Sequence, residues 1–339
     1  MILFLSLTTG TIITMSSQHW LLAWMGLELN TLAIIPVISK KHHPRATEAA
    51  TKYFLTQAAA SAMILFSSII NAQFTGQWDI LQLSNPMAKT LLTMALMMKL
   101  GLAPLHFWFP EVLQGSSLMT ALILATWQKL APMTLLFMTA HQTSTTALLT
   151  MGTLSTIVGG LGGLNQTQLR KMMAFSSIAH LGWMTAIITL STNLAIFNLT
   201  IYILITTNMF MVFIMSLTKT IKDMVTMSNT TPLLTAMLMI TILSMGGLPP
   251  LSGFLPKWLI LQELTTQNLL WVATLMTMAT LLNLFFYMRL AYTTTLTLSP
   301  NTTGIQNNWR LKMKSTSLLL TTTFPLSTMI LPILPAILL

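Results

Sequence analysis

The chain has 339 residues, 54% of them hydrophobic and only 6% charged, with a mean hydropathy of +0.74, a composition that excludes a soluble domain of this length. With no cysteine, disulfides, iron–sulfur ligation and thiolate chemistry are excluded as well. The formal net charge of +10 does not point to nucleic acid, because the basic residues are scattered over short loops instead of gathered into a patch.

At about 20 apolar residues per crossing, the chain divides into about eleven spans, and the expected fold is an all-α polytopic membrane protein. Met1 leads straight into an apolar segment with no basic n-region or small-residue cleavage site, so no cleavable signal peptide is expected. The spans fall near 2–18, 20–39, 48–72, 88–114, 118–140, 146–164, 170–191, 195–218, 232–266, 269–291 and 316–338. Two of them are too long and are interrupted. The span 88–114 carries Gly101-Leu102-Ala103-Pro104, and 232–266 carries Gly246-Gly247-Leu248-Pro249-Pro250.

Counting each interrupted span as one broken helix places the N-terminus and the loops after the even-numbered spans on one side. That side holds Lys40, Lys41, Arg45, Arg170, Lys171, Lys219, Lys222, Arg310, Lys312 and Lys314, with Lys52 and Arg289 at its edge, against Lys89 alone opposite. The positive-inside rule then predicts the N-terminus inside and the C-terminus outside.

The interruptions are copies of one another. Gly101, Leu102, Pro104, Leu105 and Pro110 recur 146 residues later as Gly247, Leu248, Pro250, Leu251 and Pro256. An odd number of crossings separates them, so the copies are expected to run in opposite directions. The predicted organisation is one transmembrane domain over 1–339, with inverted five-helix repeats at about 20–164 and 170–291 and flanking helices at 2–18 and 316–338. Paired, Gly/Pro-interrupted spans point to a transport site, since the freed backbone groups must face water or protein.

Ionisable residues inside spans cost roughly 2.5 to 3.5 kcal/mol each at mid-membrane and by default mark a charge pathway. Glu28 lies near the middle of span 2, Lys129 at the midpoint of span 5, Lys99 two residues before the first break and Lys257 just after the second. His180, at the midpoint of span 7, can accept or release a proton near neutral pH. Plainer readings stand beside these: Lys257 can snorkel to the interface, Glu28 can serve as a structural partner for a lysine, and His180 can be a hydrogen-bonded packing residue. Glu111, the counterpart of Lys257 at the 146-residue offset, is a secondary candidate. Like Glu263, it reads first as an interfacial charge.

Weaker signals carry less. Gly159 and Gly163 form a small-xxx-small pair suited to helix packing. Gly160-Leu161-Gly162 is no dinucleotide fingerprint, since no strand precedes it and the third glycine is missing. Sequons at Asn165, Asn198, Asn229 and Asn301 matter only for a chain that passes a secretory lumen. The adjacent His42 and His43 and the isolated other histidines are not spaced as metal or haem ligands.

The stretches Trp24 to Pro36, Glu48 to Gln57, Lys99 to Gly115, Thr126 to Pro132, Gly162 to Trp183 and Leu243 to Trp258 together carry a resemblance that runs nearly end to end. The chain resembles the antiporter-like membrane subunits of respiratory complex I, NADH:ubiquinone oxidoreductase, in their mitochondrially encoded vertebrate form. The resemblance implies a proton channel with Glu28 paired to Lys99, Lys129 as connecting lysine and Lys257 toward the exit. It further implies a multi-pass protein of the mitochondrial inner membrane, N-terminus in the matrix and C-terminus in the intermembrane space. Its partners would be the other membrane and accessory subunits of the complex, and phospholipid.

The chain itself offers no flavin, nicotinamide, haem or cluster site, so NADH, FMN, iron–sulfur clusters and ubiquinone would belong to partner subunits. It would be an enzyme only as part of a proton-translocating NADH:ubiquinone reductase. Relative to bacterial and stand-alone relatives it lacks about three N-terminal helices, whose place neighbouring subunits would cover. Two other classes stay open: a stand-alone monovalent cation/proton antiporter, and a structural membrane subunit without a working channel.

Overall fold

The computed structural model describes residues 2–40, 43–297 and 318–329. Lys41, His42, Asn301, Arg310, Lys312, Lys314 and the two ends of the expected span 316–338 lie outside them. Among the described residues there are fifteen α-helices and no strand, only isolated bridges at His19–Asp79 and Gln168–Thr220.

The helices are α1 (Ile2–Ser16), α2 (Trp20–Ser39), α3 (Pro44–Thr75), α4 (Pro86–Leu100), α5 (Trp108–Gly115), α6 (Leu118–Ala125), α7 (Trp127–Thr139), α8 (Thr145–Gly163), α9 (Leu169–Ile187) and α10 (Thr192–Ser216). There follow α11 (Ile221–Thr230), α12 (Pro232–Gly246), α13 (Phe254–Thr266), α14 (Leu270–Thr295) and α15 (Leu318–Thr328). Among the described residues six segments are long and apolar enough to cross a membrane: α2, α3, α6 with α7, α8, α10 and α14; α1 and α12 are apolar but shorter.

Local chemistry sets the ends. Asn85 accepts from Met87 N ahead of Pro86, and His43 Nδ1 accepts from Arg45 N ahead of Pro44, so each proline starts a helix where its missing N–H costs nothing. The abundant hydroxyls are satisfied within their own helices: Thr14, Thr139, Ser176 and Thr241 donate to carbonyls three or four residues back at 2.8–2.9 Å. That return bond is what lets a threonine-rich chain form apolar helices.

Two helices depart from the sequence expectation. The loop after 218 contains α11, started by a capping box in which Thr220 Oγ1 accepts from Asp223 N and Asp223 Oδ2 accepts from Thr220 N. Span 5 is also not continuous: a turn at Thr126 divides it into α6 and α7, and Thr126 Oγ1 donates to Leu122 O at 2.8 Å. Pro132, the residue that would ordinarily mark a break there, lies inside α7.

The interruptions at 101 and 247 share the same glycine cap. Gly101 and Gly247 are the left-handed C-caps of α4 and α12, at φ 76 and φ 80. Leu102 N donates to Met97 O, and Leu248 N to Leu243 O, the same pair 146 residues on. Ala103–Pro104 and Pro249–Pro250 are both cis. The chain resumes as α5 and α13.

The helices group into two compact units, one of residues up to Val158 with Ser177–Ala195, the other of Gly159–Ser176 with residues from Ile196 onward, so α8, α9 and α10 contribute to both. In the first unit α2 lies against α1 and α3, α3 against α4 and α5, and α7 against α1, α2, α4 and α6. Gly10 lets α1 approach α2 closely, since a Cβ there would stand 2.9 Å from Gly26 O. In the second unit α12 packs on α11, α14 and α15. Gly163, one of the pair expected to serve packing, does so there with Gly160: added Cβ atoms would meet Phe286 at 2.8 Å and Leu282 at 2.9 Å on α14.

Candidate functional site

The first break sets Lys99 in the last turn of α4, where the final four carbonyls lack intrahelical partners and the helix end is negative. Two of those carbonyls are satisfied from outside: Gln57 Nε2 donates to Lys99 O at 3.4 Å and Trp108 Nε1 to Met98 O at 3.1 Å. The Lys99 side chain is buried, and its Nζ has no hydrogen-bond partner among the described residues.

Lys129 enters the same region from α7, three residues after the turn at Thr126. It is buried, and its ammonium stands 4.7 Å from the ring centroid of Phe109 on α5, within range of a cation–π interaction. Between the lysines lies a cavity of about 20 Å³, lined by both and by Asn30, Tyr53, Gln57 and Gln128. About 10–15 Å³ suffices for one water molecule. The Asn30 amide and Gln128 Nε2 are buried and, like Lys99 Nζ, unpartnered, so the lining offers a water the several polar contacts it needs.

Glu28 is half-buried on α2, its Oε2 accepting from Thr31 Oγ1 at 2.8 Å. Lys99 and Lys129, expected from separate spans, thus line one polar pocket; Glu28 is not among its lining residues and meets it only through Thr31, which lines the pocket and donates to the Glu28 carboxylate.

Lys257 belongs to the second unit. From α13 its Nζ reaches back to Gly246 O at 3.0 Å and Met245 O at 3.4 Å, the terminal carbonyls of α12. Gly247 leaves the room: a Cβ there would lie 2.8 Å from that Nζ. Met245 is the 146-residue counterpart of Lys99, and Glu111 that of Lys257. Each break therefore has a lysine at the carbonyl end of its first half-helix: Lys99 as a residue of the last turn of α4, and Lys257 with its Nζ reaching back to α12 from the helix that follows. The inversion of sign between Glu111 and Lys257 needs no equivalence of role.

Glu111 is exposed on α5 and pairs with Lys52 at 2.6 Å, which also meets Glu48 at 2.5 Å. His180 is buried on α9. Among the described residues no cluster of three His, Cys, Asp or Glu could hold a metal ion.

Residues 17–283 match the NADH:quinone oxidoreductase/Mrp antiporter transmembrane family, and residues 284–338 match the NADH dehydrogenase subunit 2 C-terminus. NADH-ubiquinone oxidoreductase chain 2 of Varanus baritji is 57% identical over 334 residues, 98% of this chain and 97% of the relative. The Xenopus laevis protein of that name is 57% identical over 330 residues, 97% and 96% of the two chains. That of Bos taurus is 52% identical over 334 residues, 98% and 96%. This chain belongs to the NADH-ubiquinone oxidoreductase chain 2 family.

Among solved structures, a chain of respiratory complex I from Thermus thermophilus with bound aureothin is similar at TM-score 0.82 and 28% identity, over 97% of this chain and 78% of that one. A chain of the Mrp complex from Dietzia shares the fold at TM-score 0.82 and 15% identity, over 99% and 75%. The chain 2 assignment agrees with the resemblance carried by the stretches around Glu28, Lys99, Lys129 and Lys257. The neutral members of the pocket, Asn30, Tyr53, Gln57 and Gln128, were not singled out from the sequence. Their signal was a polar side chain one to three residues from Glu28 or Lys129, or inside the otherwise apolar run after Glu48.

Proposed function

We propose that this chain is a core membrane subunit of proton-pumping NADH:ubiquinone oxidoreductase in the mitochondrial inner membrane, and that it carries protons through a relay of Glu28, Lys99, Lys129 and Lys257, with His180 as a further carrier. The observation that carries the reading is the small polar cavity between Lys99 and Lys129, which a single water can bridge. Names of relatives at 52–57% identity support membership of the complex. NADH, FMN, iron–sulfur clusters and ubiquinone are then held by partner subunits, and this chain contributes no redox centre. About eleven crossings in two inverted repeats, N-terminus in the matrix and C-terminus in the intermembrane space, remain part of the proposal.

The energetics suit a switch. Two unit charges ~8 Å apart at an effective dielectric of ~20 interact by about 2 kcal/mol. Moving one charge through 100 mV takes about 2.3 kcal/mol. Making or breaking the Glu28–Lys99 pair is therefore comparable with the work of translocation. A change in a neighbouring subunit that alters this pairing changes the hold of Lys99 on its proton, and a bridging water passes the change to Lys129. Lys257, at the carbonyls of the second break, completes the path toward release.

The test is Lys129→Met in the assembled complex, since methionine keeps the bulk of the buried stem. Proton pumping per NADH oxidised is expected to fall while native-gel assembly is retained. An assembled complex with undiminished pumping would remove the relay from the account.

A further inference from the structure

In the second unit, polar residues from three separate stretches meet where hydrophobic packing would be expected. Asn208 of α10, Ser252 in the second break and Ser327 of α15 are each 0% exposed. Both ends of the Asn208 amide are engaged by α15: Nδ2 donates to Ser327 Oγ, and Oδ1 accepts from Thr323 Oγ1 at 2.6 Å. Thr323 and Ser327, four residues apart, lie on one helix face, which is what a single side chain needs to grip both.

Ser252 Oγ in turn donates to the carbonyl of Ser327. That carbonyl is among the last four of α15, which have no acceptor role inside the helix. The break thus supplies a partner to the end of α15, and α15 fixes a point in the break. Polar groups buried this deeply are costly unless bonded, so the joint either forms completely or disrupts its surroundings.

The joint stands beside Lys257. Ser252 is followed by Gly253, packed so tightly on the last turn of α12 that any Cβ would overlap Ser244 O. The carbonyls of that same turn, Met245 O and Gly246 O, hold Lys257 Nζ. In the first break the position 146 residues before Ser252 is His106, whose buried Nδ1 has no hydrogen-bond partner among the described residues. The two breaks share the glycine cap and the cis proline, and this tie is described at the second.

We infer that α15 is a clamp on the second break, and that Asn208, Ser252 and Ser327 are positioning residues that hold the α12 carbonyls in place for Lys257. The role of Lys257 in this inference rests on the proton relay proposed above; the clamp itself does not. It also gives α15, which lies in the C-terminal segment matching the subunit 2 family, a task in the second break.

The experiment uses the whole complex carrying Ser252→Ala, Ser252→Thr, Asn208→Leu or the milder Thr323→Val, with native-gel assembly as a control. Hydrogen exchange across residues 247–257 reads the clamp directly. Loss of one net hydrogen bond of about 1 kcal/mol corresponds to about fivefold faster exchange in Ser252→Ala, with at least that in Asn208→Leu, which removes two bonds, and Ser252→Thr near the parent. The ratio of proton pumping to NADH oxidation, followed against pH, reads the positioning of Lys257. It is expected to fall and its pH profile to change in Ser252→Ala, and both are expected to return in Ser252→Thr.

Should the full substitutions fail to assemble, Thr323→Val must show the same changes in smaller measure, or the clamp is wrong. Parent-like exchange in assembled Ser252→Ala overturns the clamp. Faster exchange with an unchanged ratio and pH profile overturns the positioning role. If Lys129→Met also pumps normally, the relay has failed, and the exchange result still decides the clamp.

Discussion

Replacing Gly101 with alanine separates two costs that the first break imposes. At φ 76 the left-handed backbone costs an alanine roughly 1–2 kcal/mol. About 0.4–1 kcal/mol is recovered because alanine stiffens the unfolded chain. The new Cβ would also stand 3.2 Å from Phe109 Cβ and 3.4 Å from the Trp108 ring, so the start of α5 must shift or strain. Crowding of this kind adds at least about 1 kcal/mol.

Gly76 is the matched control: its φ is 71, and a Cβ there meets nothing within 4 Å. Gly76→Ala should cost about 1 kcal/mol or less and Gly101→Ala about 2 kcal/mol or more, a difference near fivefold in an equilibrium or a rate. The assay is the half-life of the assembled complex at a fixed elevated temperature, followed on native gels. Because Trp108 is bonded to Met98 O next to Lys99, pumping should fall in Gly101→Ala and hold in Gly76→Ala. Equal half-lives and equal pumping for the two variants would refute the reasoning.

Further outcomes follow from the same geometry. The joint between α3 and α5 is held by packing at Gly115, where a Cβ would stand 2.6 Å from Ala49 Cβ and from Arg45 O, and not by the exposed Lys52–Glu111 pair. Lys52→Met should leave thermal stability and pumping at the parent level, whereas Gly115→Val should lower stability by about 1–3 kcal/mol, both read from thermal inactivation. At the start of α11, burial alone would raise the Asp223 carboxyl, but N–H bonds from Lys219 and Thr220 outweigh it and hold the group below the ordinary carboxylate value. A depressed value means that its stabilisation is complete above about pH 4 and is lost as pH falls through the folded value, so the protection of α11 amides, measured relative to their intrinsic exchange rates at each pH, should fall in acid, and Asp223→Asn should remove that dependence.

Helix positions were legible because the apolar runs are long and the punctuation is strong: Pro44, Pro86 and Pro232 start helices, and Gly101 and Gly247 end them. The breaks were legible to the residue, since only glycine takes the left-handed cap freely. The turn at Thr126 was not, because it carries neither Gly nor Pro and Pro132 nearby stays helical. Nor was α11, with only Met224 and Met227 buried among its described side chains and a single Thr-x-x-Asp signature to announce it. The ionisable members of the pocket stood out by cost alone. Asn30, Tyr53, Gln57 and Gln128 did not, since spans apolar on every face carry no periodicity to say which side turns inward. Which helices meet is a non-local matter, and the pocket is made of four of them beyond the break itself.

The central claim is that Lys99 and Lys129 face one hydrated polar pocket. A map of the assembled complex at a resolution that shows ordered solvent tests it most directly. An ordered water bonded to Lys99 Nζ and to Asn30 or Gln128, in line toward Lys129, is the predicted result; a dry, filled space there, with the two ammonium groups turned to different surroundings, would contradict it.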